Sequence, residues 1–135
     1  MILYRRRSEE LKYFIASTLS RLGGTSLAES LSIYRQLLDK EPSSQSALLG
    51  VCKIYIRLQN WNGAVEHADK CLANDPNDHK ALAARGWVAF HQNDLELAMQ
   101  LIQRANDLCR DATYFYKLGR IYWELGGILT HYFMF

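Results

Sequence analysis

Shifted against itself by about 34 residues, the chain falls into register, and self-similarity at such a period constrains the fold more than any single motif. Leu27 falls on Trp61 and Leu95, Leu31 on Val65 and Met99, Leu37 on Cys71 and Ala105, and Pro42 on Pro76, while Ser30 is matched by Ala64 and Ala98. In the preceding segments Leu48 falls on Leu82, Cys52 on Gly86, Tyr55 on Ala89 and Gln59 on Asn93. One residue of slippage brings Phe115, Leu118, Gly119, Tyr122 and Gly126 into the same columns. A unit this short cannot bury its apolar face alone, so neighbouring units must complete its core.

Each unit divides at a polar joint into two helical patterns. In "SALLGVCKIYIRL" Leu48, Val51, Cys52, Tyr55 and Leu58 recur at helical spacing; after the joint Ala64, Val65, Ala68, Cys71 and Leu72 do the same. Two antiparallel helices per unit follow. Ser26 to Glu29 spells a capping box, and "EPSS" and "NDPND" supply a stop, a proline and the next cap. Gly23 and Gly24, like Gly126 and Gly127, are expected to end a first helix and turn into the second, because glycine alone enters the left-handed turn at low cost.

Small residues where paired helices must approach closely (Gly86, Gly119, Ala64, Ala98, Ala105), an aromatic late in the first helix (Tyr55, Tyr122) and a closing proline (Pro42, Pro76) resemble the tetratricopeptide repeat. The resemblance runs from about Leu11 onward. It departs from the family pattern where the tryptophan column holds Leu48, Leu82 and Phe115, where Arg85 replaces a leucine, and where Arg110 replaces the third closing proline. The expected fold is all-α, a right-handed helical-repeat solenoid of about three to four antiparallel helix pairs. Its divisions are a lead-in over residues 1–10, a divergent first repeat over 11–44, a second over 45–78, a third over 79–111 and a truncated fourth over 112–135.

Composition restricts function. A hydrophobic fraction of 49% with 22% charged residues suits a globular domain, and a net charge of +2 is too mild for a dedicated nucleic-acid or membrane binder. Three cysteines, Cys52, Cys71 and Cys109, form no CxxC pair, which favours a reducing, cytoplasmic setting, with a nuclear pool compatible. No stretch approaches the roughly 20 apolar residues a membrane span needs.

The stretch "NWNGAVEHADKCLANDPND" concentrates residues that chemistry uses, yet helical spacing places His67 and Asp69 on opposite borders of one apolar stripe. A zinc site needs three or four ligands, and His79 lies beyond a proline turn, so Cys71 reads as a core residue and His67 as a solvated flank. No phosphate loop, nucleophile elbow or cofactor motif is present, so neither a catalytic residue, a metal nor a cofactor is assigned. A non-catalytic interaction scaffold is expected; the alternatives are an accessory domain of an enzyme whose catalytic part lies elsewhere, and direct single-stranded RNA binding.

By resemblance, the first helices line an inner, concave face. Residues there that point away from their own partner helix are Lys53, Ile56 and Arg57, then Lys80, Ala83, Trp87, Phe90 and His91, then Tyr116, Lys117, Arg120, Trp123 and Glu124. Lys53, Arg57, Lys80, Trp87, His91, Tyr116, Lys117, Arg120 and Trp123 are the expected partner contacts, suited to an acidic segment with an aromatic residue; the plainer reading makes the tryptophans inter-repeat core. In one version of this groove, lysines, an arginine and asparagines clamp chaperone tails, but Gly50 and Ala84 stand where two of those residues belong. "DATYFYKLGRIYWELGG" is similar to superkiller-complex scaffold subunits, which implies a place in cytoplasmic exosome-dependent mRNA decay, with RNA contacted only indirectly. Phe133, Met134 and Phe135 suggest a C-terminal end that docks on another chain.

Overall fold

A computed structural model describes the backbone of residues 2–134 and the side chains of residues 6–127. Seven helices and no strand occur among the described residues: α1 (Ile2–Leu22), α2 (Ser26–Lys40), α3 (Gln45–Arg57), α4 (Trp61–Asn74), α5 (His79–His91), α6 (Leu95–Leu108) and α7 (Ala112–Met134). The contacts group them into two units, Met1–Asn74 and Asp75–Phe135. The stretch expected as a lead-in is part of α1, which begins at Ile2. No helix among the described residues is long and apolar enough to cross a membrane.

In the first unit, α1 pairs with α2 and α3 with α4 across short turns. Ala16, Leu27, Tyr34, Leu37, Ala47, Val51 and Ile54 form one buried cluster. The Ser30 hydroxyl, wholly buried, donates to the Ala16 carbonyl at 2.6 Å, which satisfies the polar atom the core would otherwise strand. Gly50 leaves room for the Tyr34 ring, which a Cβ would strike. The α3–α4 pair closes on Ala64, Ala68 and Cys71, all buried.

The second unit holds α5, α6 and α7. Leu82, Val88, Ala89, Ala98, Ile102, Ala105, Leu118 and Ile121 form its apolar interior. Two polar ties fix the start of α7: His79 Nδ1 lies 2.7 Å from the Tyr114 hydroxyl, and the buried Asn106 side chain accepts the Asp111 amide at 3.3 Å.

The expected caps divide into those the backbone uses and one it does not. Ser44 caps α3 by accepting the Ala47 amide at 3.4 Å, and Asp78 caps α5 by accepting the amides of Lys80 and Ala81 at 3.1 and 3.3 Å. The capping box at Ser26 is not formed. The helix follows Thr25, whose own side chain makes no cap bond, and the amides of Ser26 and Leu27 bond instead to the carbonyls of Gly23 and Gly24, which turn at φ of +74° and +62°. The turn expected at Gly126 and Gly127 is also absent, because α7 continues through both to Met134. In the first glycine pair Thr25 and Ser26 follow, polar residues that favour leaving a helix; in the second Ile128 and Leu129 follow, good helix formers, and two glycines cost only about 1 kcal/mol each in a helix.

Candidate partner-binding site on α5 and α7

Helical spacing builds the site. Residues three and four apart share one helix face, so Trp87 meets both Phe90 and His91. The Trp87 and Phe90 rings stack at 4.8 Å with planes 6° apart, and the His91 ring stands edge-on to both, 5.0 Å from Trp87 and 5.4 Å from Phe90. From α7, Lys117 Nζ lies 5.1 Å from the Trp87 ring centroid and Arg120 Cζ 5.6 Å from that of Phe90, both within cation–π range. Arg120 Nη1 also donates to the Tyr116 hydroxyl at 3.1 Å, holding the guanidinium in place.

Two cations therefore rest on two stacked rings, with a histidine at their edge. Partial burial against the rings, then Arg120, then Lys117, hold the His91 pKa below the ordinary histidine range. The ring is accordingly neutral at neutral pH and responds to any charge that offsets the two cations. This arrangement presents flat apolar surface and fixed positive charge together.

The expected partner residues distribute unevenly. Trp87, His91, Tyr116, Lys117 and Arg120 come together, with Phe90 completing the stack. Trp123 stands farther along α7 and is 79% exposed among the described residues. Lys80 is exposed at the start of α5. Lys53 and Arg57 belong to the first unit, where Lys53 is exposed on α3 and Arg57 donates to the Ser20 carbonyl beside Gly23, a tie that finishes α1. Phe90 appeared in the inner-face pattern but not among the expected contacts; its position three residues after Trp87 was the available signal.

In the quoted α4 stretch, Cys71 is buried with its thiol 3.9 Å from the Gln45 carbonyl, as expected of a core residue. His67 is not a solvated flank. Its Nδ1 lies 2.8 Å from the Gly63 carbonyl and its ring packs on Tyr55 at 5.4 Å. Phe133, Met134 and Phe135 have side chains outside the described residues.

Residues 52–113 match the family model of the tetratricopeptide repeat. This segment is similar to the tetratricopeptide repeat. Among curated relatives, Tetratricopeptide repeat protein 8 of Mus musculus is 30% identical over 70 residues, which are 52% of this chain and 14% of that protein. The chain thus spans about one seventh of that relative's length. Among solved structures, the tetratricopeptide domain of Sgt2 from Aspergillus fumigatus superposes with a TM-score of 0.81 at 14% identity, covering 91% of this chain and 82% of that one. The first such domain of Spaghetti (RPAP3), bound to the HSP90 peptide SRMEEVD, superposes with a TM-score of 0.70 at 21% identity, covering 83% and 94%. At these identities the likeness establishes the tetratricopeptide fold.

Proposed function

We propose that the chain is a non-catalytic protein-interaction module that holds an acidic, aromatic-bearing segment of a cytoplasmic partner on the α5–α7 cluster. The observation that carries this reading is the pair of cations seated on the Trp87–Phe90 stack. An arriving carboxylate finds its charge already positioned, and an arriving ring finds a flat surface that loses little entropy on contact. That a domain of this fold holds an acidic peptide supports the partner class, whereas Gly50 and Ala84 argue against a clamp for that particular tail.

The test is fluorescence anisotropy with a labelled peptide of four glutamates around one tyrosine, against the full chain. Lys117→Glu with Arg120→Glu should weaken it by about 2 to 4 kcal/mol, the usual cost of reversing charges at an interface. The ring-free peptide SRMEEVD should bind at least about fivefold more weakly, since the stack then gains nothing. Equal affinity of wild type and double variant would remove the site. Tight binding of single-stranded RNA with a steep salt dependence would favour the nucleic-acid reading instead.

The likeness of residues 111–127 to superkiller scaffold subunits supports a narrower second reading, in which the partner belongs to that mRNA-decay assembly. Nuclease-resistant co-purification with exosome components is its test, and their absence from the purified material would remove it.

A further inference from the structure

The α5–α7 cluster gathers more positive charge and more donors than a single carboxylate can use. Lys117 and Arg120 stand about one turn apart on α7, at 5.1 Å from the Trp87 ring and 5.6 Å from the Phe90 ring. Arg120 turns back to the Tyr116 hydroxyl and the Phe90 ring rather than on to Glu124, an ordinary ion-pair partner at i+4. Its guanidinium keeps most of its N–H groups for other acceptors, and Tyr116, which accepts from Arg120, retains its own proton to donate. Arg120 and Tyr116 are both exposed, so these donors face solvent. His91 stands edge-on to the same rings, and burial, then Arg120, then Lys117, hold its pKa low; an anion that offsets the cations therefore adds a third positive donor.

A glutamate brings one charge to this group and accepts through one carboxylate. A phosphate monoester brings about −1.5 to −2 and three strong acceptor oxygens, enough to engage a guanidinium, an ammonium and a hydroxyl together. Charge and ring surface also coincide here. Each cation rests on a ring, so the group that meets the cations is already beside the stack. A glutamate and a separate tyrosine reach both only if two backbone positions are ordered at once, whereas phosphotyrosine carries ring and dianion on one stiff side chain.

Resting on the reading that this cluster holds an acidic, aromatic-bearing segment, we infer that its ligand is a phosphotyrosine of a partner protein. The phosphate takes Lys117, Arg120 and the Tyr116 hydroxyl, and the phenyl ring packs beside the Trp87–Phe90 stack. Phosphoserine supplies the charge without the ring, and tyrosine the ring without the charge.

The probes are fluorescein-labelled glycine–serine peptides, otherwise neutral, with tyrosine, phosphotyrosine or phosphoserine at the centre, titrated with the full chain at one salt concentration. Phosphotyrosine should bind at least about tenfold more tightly than tyrosine and at least about fivefold more tightly than phosphoserine. These comparisons use the unaltered chain and do not depend on a variant folding. Lys117→Glu with Arg120→Glu should abolish the gain from phosphate. Lys40→Glu with Lys70→Glu, at exposed positions on α2 and α4, changes net charge equally and should leave it intact. Tyr116→Phe should weaken the phosphotyrosine peptide about three- to tenfold with an unchanged melting curve. Equal affinity for tyrosine and phosphotyrosine overturns the proposal, as does equal affinity for phosphoserine, since the rings then contribute nothing. Equal losses in the two charge-reversed variants assign the binding to net charge and likewise overturn it. If the peptide of four glutamates and a tyrosine binds through Lys117 and Arg120 while phosphate adds nothing, the acidic-segment site stands and this inference alone falls. If neither peptide binds, both fall.

Discussion

The Arg57 guanidinium donates to the Ser20 carbonyl and occupies the space beside Gly23, although its charge and helical position fit a partner-facing residue. Arg57→Ala should therefore lower the stability of the first unit by about 1 kcal/mol, the usual net value of one hydrogen bond, read as a shift in urea midpoint. An unchanged midpoint would show that the tie to Ser20 adds nothing to stability. His91 carries a pH prediction. Its folded pKa is depressed, so as pH falls below the ordinary histidine value the unfolded chain takes a proton that the folded chain resists, and stability declines through that window. An acidic ligand offsets Arg120 and Lys117, so the His91 midpoint in an NMR titration should rise on saturation with the glutamate–tyrosine peptide, and affinity should increase as pH falls. A midpoint indifferent to peptide would mean that the ligand does not sit there. The sequence made the cations and rings of this cluster legible because they recur at helical spacing. It did not reveal Arg57's tie, because a bond from a side chain to a carbonyl 37 residues away leaves no periodic trace.

Helix ends and crossings were legible where a residue type has one dominant use. Ser44 and Asp78 cap as their flanking prolines and periodicity imply, whereas at the Ser26 box the Gly23 carbonyl already takes the Ser26 amide that Glu29 would have reached. A glycine pair alone did not fix a turn, since the residues after it decide whether leaving the helix is favourable. Asp111 accepts the Thr113 amide at 2.7 Å at the start of α7, a contact that lowers its pKa. That stability is present above the ordinary aspartate range and is lost as pH falls through the depressed value; Asp111→Asn should keep the cap and abolish this acid-side loss in a melting series. A pH profile identical to wild type would exclude the cap as its source. The two equivalent glycines should behave oppositely. Gly86→Ala should destabilise by about 1 to 3 kcal/mol through overpacking against α6, while Gly119→Ala should stabilise by about 0.5 to 1 kcal/mol through helix propensity. Similar effects at both would contradict the open space beside Gly119.

At the scale of the chain, a net charge of +2 conceals a local concentration of cations on α7, and a repeat architecture concentrates function on surfaces rather than in a cavity. Periodicity made the all-helical pairing legible from the sequence, because each unit must obey the same packing rule. The exposure of Phe115 and Tyr122 on α7 was not legible, because these residues fall in columns that are core on α3 and α5, whereas among the described residues they stand more than half exposed. The central claim is that the chain acts by holding an acidic segment beside the α5–α7 rings. Its most direct test is photo-crosslinking in cells, with benzoylphenylalanine replacing Glu124, which at about 100° per residue lies on the same side of α7 as Lys117 and Arg120, or Lys70 on α4, followed by mass-spectrometric mapping of the attached peptides. Adducts from position 124 should map to acid-rich segments carrying an aromatic residue, with few from position 70. Adducts equally abundant from both positions, or mapping to segments without acidic residues, would contradict it.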